Sequence, residues 1–393
     1  MIRLDRGINK TKIFLSFSTH MVTDTYASFI VGLIPVFTAK FGLSLFLVSI
    51  LSSVNFISNS ITQPVFGYFS DKYGIRYFLI AGPLAASIFI SILGISPGYW
   101  FILIFLFLGN LGVAAIHPPT AATASHVGGS RKGLLNSIIS FGGTVGFAAG
   151  SLVIILIINK LGLKFTPLAA IPGIIMTLVL LKTPPSAFQP GNKSAGIGFI
   201  EKLKSIKKIK LVLLLLIAFA SYSRDLAILS MLTFMPLYFT GQGIELINFG
   251  YIILVFILIG GIGGLFAGYY SDRIRKRTAV IQAGLIISVP LFYLMFKAPI
   301  NISIVLFVLA GFFAASTLPL CIRVVQDIFP GNVSLASSMV MGVSGGIAAA
   351  TVILMGKIAD YIGMVKTINY ILIIPILASL LLFLFPLVRS KYK

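Results

Sequence analysis

The sequence predicts an all-α membrane protein whose twelve transmembrane helices form two six-helix bundles related by internal duplication. The first observation is composition, since 58% of the 393 residues are hydrophobic, only 10% are charged and the mean hydropathy is +1.06. Such a chain has too little polar surface to cover a soluble globule of this size. The second is a division into long apolar runs, and the third is a repeated motif. Together they place the chain in a lipid bilayer.

The duplication is visible in a charged turn that occurs twice between apolar runs. The turn spans Gly67 to Arg76 and returns, starting again with Gly-Tyr-x-Ser-Asp, over Gly268 to Arg277, at an offset of 201 residues. The same offset relates Asp24 to Asp225, Pro35 to Pro236, Gly42 to Gly243, Pro118 to Pro319 and Gly162 to Gly363. Tandem copies in one constant register indicate two halves of like orientation.

Turn residues and charges divide the chain into twelve apolar segments, each long enough to cross a bilayer with some tilt. Every backbone amide in hydrocarbon needs an internal partner, and the alternating pattern of a barrel strand does not occur, so we expect helices. In chain order, the predicted spans are 12–38, 44–69, 78–96, 99–124, 134–158, 165–181, 211–239, 247–270, 278–297, 302–327, 335–356 and 367–388.

The Lys and Arg residues predict the orientation. Of the 30, 22 fall at the termini, in the central stretch and in alternate loops, whereas the opposite loops hold 6. By the positive-inside rule, both termini and the central stretch are cytoplasmic. We therefore expect an N-terminal bundle over 1–181, a cytoplasmic linker over 182–210 and a C-terminal bundle over 211–393. The linker reads either as a basic amphipathic helix on the inner leaflet or as a solvated connection.

Several other classes of protein are excluded by the sequence. The net charge of +21 is distributed among short turns rather than collected on a soluble face, so we expect no nucleic-acid partner. The single cysteine, Cys321, allows neither a disulfide framework nor a cysteine-based metal site. Zinc-protease, nucleotide-binding and hydrolase motifs do not occur, so we expect no enzyme activity, no metal and no cofactor. The first apolar run is too long for a cleaved signal, and we expect it to be retained.

Charged and titratable residues inside the predicted spans are the candidate functional residues, because a charge in the bilayer interior costs at least about 2.5–3.5 kcal/mol on insertion scales. They fall on the first and fourth spans of each half, as expected if these spans line one polar path. They are His20 and Asp24 in span 1, His117 in span 4, Arg224 and Asp225 in span 7, and Arg323 and Asp327 in span 10.

Asp24 is the best candidate for a proton carrier. His20 lies four residues earlier, on the same face of the helix, and Arg224 is predicted to lie at a similar depth in the other half. A carboxyl group that gains and loses a cationic partner would alternately release and hold a proton. Asp225 is adjacent to Arg224, which indicates a local charge partner.

The balance of these residues favours an anionic or polar solute, because arginine grips carboxylates and phosphonates through paired hydrogen bonds. Aromatic side chains can supply apolar walls, although ordinary packing is an alternative role for each of them. The candidate substrate-binding residues are His117, Arg224, Asp225, Arg323, Tyr26, Tyr222 and Tyr238.

The repeated turn is the candidate gating element. A glycine lets neighbouring helices approach closely, and an aspartate at a helix end can accept hydrogen bonds and pair with a basic residue. The first copy supplies Gly67, Asp71, Lys72, Gly74 and Arg76, and the second supplies Gly268, Asp272 and Arg273. Arg275 replaces the second glycine in the second copy, so we expect that copy to serve structure more than gating.

The first copy resembles the loop signature of the major facilitator superfamily, and twelve spans with an internal duplication look like that fold over the whole chain. Within the superfamily, the chain is similar to the fosmidomycin-resistance branch of drug efflux proteins. The matching residues are His20, Asp24, Gln63, Pro64, Gly67, Tyr68, His117, Pro118, Gly142, Gly143, Gly146, Leu232, Pro236, Tyr238, Gln326, Asp327, Pro330 and Gly331. Two departures bear on mechanism: Pro119 stands where the branch often has an acid, and Ser151 follows Gly150 where antiporters typically have proline.

The resemblance implies a secondary active transporter that works by alternating access. We expect proton-coupled efflux of a small anionic or polar solute or drug, such as a phosphonate, powered by the proton gradient. Proton-coupled uptake of an organic anion is one alternative, and a non-transporting membrane sensor or assembly factor is another. We expect a monomer that passes repeatedly through the plasma membrane and whose partners are the bilayer and a small molecule.

Overall fold

The computed structural model describes residues 10–127, 132–183, 208–270, 273, 276–329, 337 and 339–390. Regular structure in these ranges is helical, and twelve stretches are long and apolar enough to cross a membrane. We number them spans 1 to 12 in chain order. The predicted all-α, twelve-span architecture is confirmed. The linker and its proposed basic helix lie almost entirely outside the described residues.

Three of the first six spans are not continuous α-helices, and one of them, span 3, ends in a 3₁₀ turn. Span 1 is interrupted at Ser28, and span 6 opens with a 3₁₀ segment. The bounds are Lys10–Ala27 and Phe29–Phe41 for span 1, Leu45–Tyr73 for span 2, Ile75–Ser91 with the 3₁₀ turn Ile92–Ile95 for span 3, Tyr99–Val127 for span 4, Lys132–Leu161 for span 5, and Leu163–Ala170 followed by Ile171–Lys182 for span 6.

The last six spans follow the same order. Their bounds are Lys208–Gly241 for span 7, Leu246–Tyr270 for span 8, Arg277–Leu294 for span 9, Ile300–Ile328 for span 10, the π-helical turn Met339–Val343 with Ser344–Ile362 for span 11, and Met364–Ile371, Ile373–Leu381 and Leu384–Ser390 for span 12. The predicted end of span 11 at residue 356 is wrong. Lys357, which the sequence placed in a loop, lies on the helix, and the helix ends at Ile362, just before Gly363.

The duplication recurs in the backbone. Gly42 and Gly243 have φ angles of 61° and 84°, and Gly162 and Gly363 have φ angles of 96° and 87°. Side chains strongly disfavour this left-handed region, so glycine is needed at these helix ends. Both pairs are separated by the 201-residue offset of the sequence repeat. The two halves therefore break their helices at equivalent positions.

Helix packing repeats in the same register. A Cβ atom added to Gly67 would lie 3.7 Å from Cβ of Pro118, and one added to Gly268 would lie 3.7 Å from Cβ of Pro319. Spans 2 and 4 thus meet within the first half as spans 8 and 10 meet within the second. A side chain at either glycine would make only an ordinary van der Waals contact, so the packing repeats in the two halves but does not itself require glycine.

The chain forms two compact units. They differ from the predicted bundles, 1–181 and 211–393, because the beginning of span 2 groups with the second unit and the beginning of span 8 with the first. Unit 1 comprises Met1–Gly42, Val54–Lys193 and Ile244–Leu254, and unit 2 comprises Leu43–Ser53, Ser194–Gly243 and Val255–Lys393. Where the boundaries of the moving bodies lie stays a prediction.

Within unit 2, the beginning of span 2 is held by polar contacts with span 11. The Asp360 carboxylate accepts hydrogen bonds from the backbone N–H groups of Leu45 at 2.7 Å and Phe46 at 3.2 Å. The Ser53 hydroxyl donates to the Ala349 carbonyl at 2.7 Å. The aspartate therefore caps a helix that lies far from it in sequence.

The interruption of span 1 is stabilised inside unit 1, although the sequence predicted one continuous helix. Asn55 Nδ2 donates to the Ala27 carbonyl at 3.0 Å, and the Ser151 hydroxyl donates to the Ser28 carbonyl at 2.8 Å. Asn110 Nδ2 donates in turn to Asn55 Oδ1 at 2.8 Å. Backbone groups at a break in a membrane helix need such partners from neighbouring helices. The helix of span 1 is thus interrupted just after its polar residues, and neighbouring helices bond the carbonyls at the break.

Candidate functional site

The polar residues of span 1 form a close pair, as the helical spacing predicts. His20 Nε2 lies 3.2 Å from Asp24 Oδ2, one turn along the helix between Lys10 and Ala27. Side chains four residues apart on a helix are neighbours. Both are buried, and the exposed fractions of the two side chains are 10% and 14%.

His117 of span 4 completes a cluster around Asp24. Its Nε2 atom lies 3.7 Å from Asp24 Oδ1, and its ring meets the ring of His20 edge to face, with 4.8 Å between centroids. The carboxylate therefore lies between two imidazoles. The sequence assigned His117 to substrate binding, whereas the structure places it beside the predicted proton carrier.

Gly143 of span 5 leaves the space that the cluster occupies. A Cβ atom at this position would lie 2.5 Å from Asp24 Oδ2 and 2.7 Å from His20 Nε2, closer than non-bonded atoms normally approach. The sequence indicated only that Gly143 allows tight helix packing. The structure shows that the missing side chain makes room for the side chains of Asp24 and His20 themselves.

The cluster contains buried polar atoms that lack a hydrogen-bond partner within the described part of the chain. Asp24 Oδ1 and His20 Nδ1 are buried and have no hydrogen-bond partner among the described residues. Imidazole gains and loses a proton in the physiological pH range, and a carboxylate within reach stabilises its charged form. One potential ligand atom from each of the three side chains lies within 4.8 Å of the other two, a spacing at which three side chains can share a metal ion. The expectation of no metal is not tested by this geometry.

Unit 2 has its own buried charge pair, on span 7. Arg224 Nη1 donates to Asp225 Oδ1, and the exposed fractions of the two side chains are 16% and 6%. Arg224 Nε is buried and has no hydrogen-bond partner among the described residues. Tyr222, two residues before Arg224 on the same helix, has its hydroxyl 3.2 Å from that of Thr351 in span 11. Span 7 thus carries a guanidinium–carboxylate pair and, separately, a pair of hydroxyls shared with span 11.

The other polar residues predicted in span 10 lie at its C-terminal end. Asp327 pairs with Arg277 of span 9, with 2.5 Å between Oδ2 and Nη1, and Arg323 Nε lies 3.6 Å from Asp327 Oδ1. Arg323 was predicted to bind substrate. The structure brings it into this terminal charge cluster, and its role in substrate binding stays a prediction.

Two of the predicted aromatic residues lie in packed surroundings. The Tyr26 hydroxyl donates to the Ala169 carbonyl at 2.8 Å and accepts from the Gly173 N–H group at 2.9 Å, so it ties span 1 to span 6. Tyr238 packs edge to face against Phe296, with 5.0 Å between ring centroids. Substrate binding by either tyrosine stays a prediction.

The first signature copy forms the turn between spans 2 and 3. Gly74 separates the two helices with a φ angle of 103°, which side chains disfavour. Arg76 Nη2 donates to the Leu181 carbonyl at 2.9 Å, near the end of span 6. The Lys72 ammonium lies 5.1 Å from the ring centroid of Tyr73. These contacts give the turn a defined shape within unit 1.

Less of the second copy is described. Arg273 stacks over two neighbouring rings, with its guanidinium carbon 5.6 Å from the Tyr269 centroid and 6.0 Å from the Tyr270 centroid. Asp272 lies outside the described residues, as does the side chain of Asp71. The gating roles of both copies stay predictions.

The sequence did not reveal the contacts of two residues, Thr351 beside Tyr222 and Gly143 beside Asp24. Thr351 was missed because hydroxyl residues are common in apolar helices and carry no distinctive spacing. Gly143 was noticed, but its neighbours depend on how spans 1 and 5 pack. A search for small and hydroxyl residues opposite each titratable residue at the same predicted depth would have selected both as candidates.

Comparisons with known proteins agree with this architecture. A family model described as Major Facilitator Superfamily matches residues 14–330 and 248–393. The MFS-type transporter YfnC of Bacillus subtilis (strain 168) is 27% identical over 373 residues, covering 93% of this chain and 90% of that protein. The fosmidomycin resistance protein of Escherichia coli (strain K12) is 24% identical over 370 residues, with the same two shares.

A solved structure shows the same fold. It is a bacterial homologue of the human lysosomal transporter Spinster, in an inward-facing and occupied conformation, and the TM-score is 0.72. The match covers 99% of both chains at 14% sequence identity. The resemblance inferred from the sequence, including that to the fosmidomycin-resistance branch, is confirmed.

Proposed function

Because this chain belongs to the Major Facilitator Superfamily, whose members are membrane transporters and not enzymes, we propose that it is a proton-coupled exporter. Its cargo is a small anionic or polar solute or drug, such as a phosphonate, which leaves in exchange for protons. The observation that carries the proposal is the Asp24 carboxylate held between His20 and His117 in an apolar unit.

A proton is the simplest coupling ion for this cluster. An unpaired charge inside a membrane span is costly, so a carboxylate there needs a counter-charge or a proton. Histidine side chains commonly donate and accept protons, and two of them, His20 and His117, lie beside this carboxylate. Asp24 thus acts as the carrier and His20 sets its proton affinity, while Arg224 contributes if the cycle brings it near.

The second unit supports an anionic cargo. Arg224 retains a buried Nε donor beyond its contact with Asp225, and Tyr222 and Thr351 add hydroxyls. A guanidinium with free donors binds carboxylates and phosphonates well. The name of the Escherichia coli relative refers to drug resistance, which favours export over uptake.

The proposal also covers the location, orientation, energy source and oligomeric state of the protein. The protein is a multi-pass membrane protein, and we propose the plasma membrane, with both termini cytoplasmic by the positive-inside rule. Energy comes from the proton gradient, without a cofactor. A monomer suffices, because both polar centres are complete within one chain.

Transport by purified protein in liposomes tests the proposal. With an imposed pH gradient, we expect accumulation of a phosphonate or carboxylate, but not of a sugar or a lipophilic cation. Asp24→Asn should abolish accumulation while leaving part of the counterflow exchange, because exchange needs no net proton movement. Asp225→Asn, the variant matched by the repeat, should weaken substrate binding and keep the dependence on the gradient.

The alternatives give different results in the same assay. Substrate moving in the same direction as protons indicates uptake, and no movement of any solute indicates a sensor or assembly factor. If Asp24→Asn retains the full pH dependence, Asp24 is not the carrier. If the cluster binds Zn²⁺ or Mn²⁺ tightly and transport ignores the pH gradient, it is a metal site.

We propose that residues 1–181 and 211–393 move against each other in an alternating-access cycle. The internal duplication supports this mechanism. Cysteine pairs introduced at the predicted cytoplasmic rims of the two bodies should stop turnover when they are cross-linked. Normal transport by fully cross-linked protein would refute the mechanism.

A further inference from the structure

The second copy of the repeated turn runs into a cavity that the transport proposal does not use. Its last residue, Arg277, begins span 9 and lines a cavity of about 440 Å³ with Lys276 and Gln282. Asp327 of span 10 and the aromatic residue Phe385 of span 12 complete its walls. This volume falls within the range of small-molecule sites in proteins.

The charges at this cavity favour an anion. Arg277 and Arg323 both pair with Asp327, so one carboxylate orients two guanidinium groups. Lys276 adds a further positive charge at the cavity wall. The cavity wall thus holds two basic groups and one acid, and Arg323, outside the wall, also pairs with that acid. This surplus of positive charge attracts a phosphate group.

The surroundings are those of a lipid rather than of a soluble anion. The cavity lies at the ends of three membrane spans, where headgroups meet hydrocarbon. Phe383 lines it and is 62% exposed, and Leu387, one turn further on, is also 62% exposed. Exposed apolar side chains on a membrane span lie against acyl chains. A basic cavity beside an apolar surface fits an amphipathic molecule.

We propose that this cavity binds the headgroup of an anionic phospholipid, with the phosphate on Lys276 and Arg277 and an acyl chain along Phe383 and Leu387. By the predicted orientation, the lipid comes from the cytoplasmic leaflet, and basic cavities between spans on that side are typical headgroup sites. The second turn copy thus has a role distinct from gating. The proposal is independent of the proposed transport activity.

The test measures lipid binding to the purified full chain by native mass spectrometry. The probes are phosphatidylglycerol and phosphatidylcholine with identical acyl chains. We expect a preference for phosphatidylglycerol that falls about fivefold in Lys276→Gln and about fivefold in Arg277→Gln, from about 1 kcal/mol per basic residue near a lipid surface. Lys297→Gln, an exposed lysine beyond the other end of span 9, is the matched control and should keep the preference.

A variant that fills the cavity separates shape from charge. Ala279→Leu keeps every basic residue but occupies the cavity wall, and we expect it to lower phosphatidylglycerol binding as well. Thermal unfolding checks that each variant is folded, and Lys276→Gln carries the conclusion if Arg277→Gln is not. Equal binding of the two lipids, an equal loss in Lys297→Gln, or complete displacement by millimolar inorganic phosphate would each overturn the proposal.

Discussion

His117 Nε2 lies 3.7 Å from Asp24 Oδ1, although the two residues belong to different spans of the first unit. His20 approaches the other oxygen of the same carboxylate at 3.2 Å. Each histidine therefore lies beside a different oxygen of one carboxylate, and the two rings also contact each other. Removing either leaves the carboxylate one partner, and removing both leaves it alone in an apolar unit.

The first prediction concerns these histidines. His20→Gln should reduce proton-driven accumulation by about tenfold or more, because a hydrogen bond to a charged group contributes about 1.5–3 kcal/mol. His117→Gln should reduce it by less, because its Nε2 atom lies 3.7 Å from the carboxylate, too far for a hydrogen bond. The double variant should lose less than the product of the single losses, since both act on one carboxylate. Accumulation in liposomes is the measurement, and His126→Gln is the control histidine. Losses in His117→Gln no larger than in His126→Gln would contradict the cluster.

The second prediction concerns the space at Gly143. Gly143→Ala should lower transport by about ten- to a hundredfold while the protein still folds, because the new methyl group displaces the side chains of Asp24 and His20. Gly264→Ala, whose Cβ would have ordinary contacts at 3.8 Å, should transport normally. The measurement is the transport rate of each variant at matched expression. Normal transport by Gly143→Ala would contradict the prediction, because it would show that displaced Asp24 and His20 side chains still function.

The third prediction concerns Gly146, where an added side chain should impair folding. Its added Cβ would collide with the backbone carbonyl of Met21, which cannot rotate away as a side chain can. Gly146→Ala should therefore reduce folded yield, as overpacking typically costs about 1–3 kcal/mol. Detergent-solubilised yield and thermal unfolding measure this. A yield equal to that of Gly143→Ala would show that spans 1 and 5 separate more easily than their packing indicates.

The sequence was sufficient for the spans and the duplication because both depend on properties repeated over many residues. Hydropathy places each span, and the offset that links Gly42 to Gly243 also links their backbone angles. The His20–Asp24 contact was also predictable, since it lies within one helical turn.

What the sequence did not reveal depends on how helices rotate and pack against one another. The approach of His117 to Asp24 and the bonding of Asn55 to the Ala27 carbonyl both join different spans. Spacing along the chain fixes neither the rotation of a helix nor its tilt. The interruption at Ser28 was missed for the same reason, because its carbonyl partner, Ser151, comes from span 5.

The fourth prediction compares the two turn copies. Asp71→Asn should slow transport more than Asp272→Asn, because the first turn contains Gly74 at a φ angle of 103°. Arg275 stands at the equivalent position in the second copy, where a side chain disfavours the same backbone conformation. Both variants should insert and fold. Equal transport rates for the two at matched expression would refute the asymmetry.

The last prediction concerns the cap on span 2. Asp360→Asn should lower the free energy of unfolding by about 1 kcal/mol, the usual effect of losing a helix cap. The carboxylate accepts hydrogen bonds from the backbone N–H groups of both Leu45 and Phe46, and an amide has only one oxygen to offer. Lys357→Gln, an exposed change one turn earlier on the same helix, should leave stability unchanged. Thermal unfolding in detergent measures both variants, and an unchanged midpoint for Asp360→Asn would show that these hydrogen bonds do not stabilise the helix.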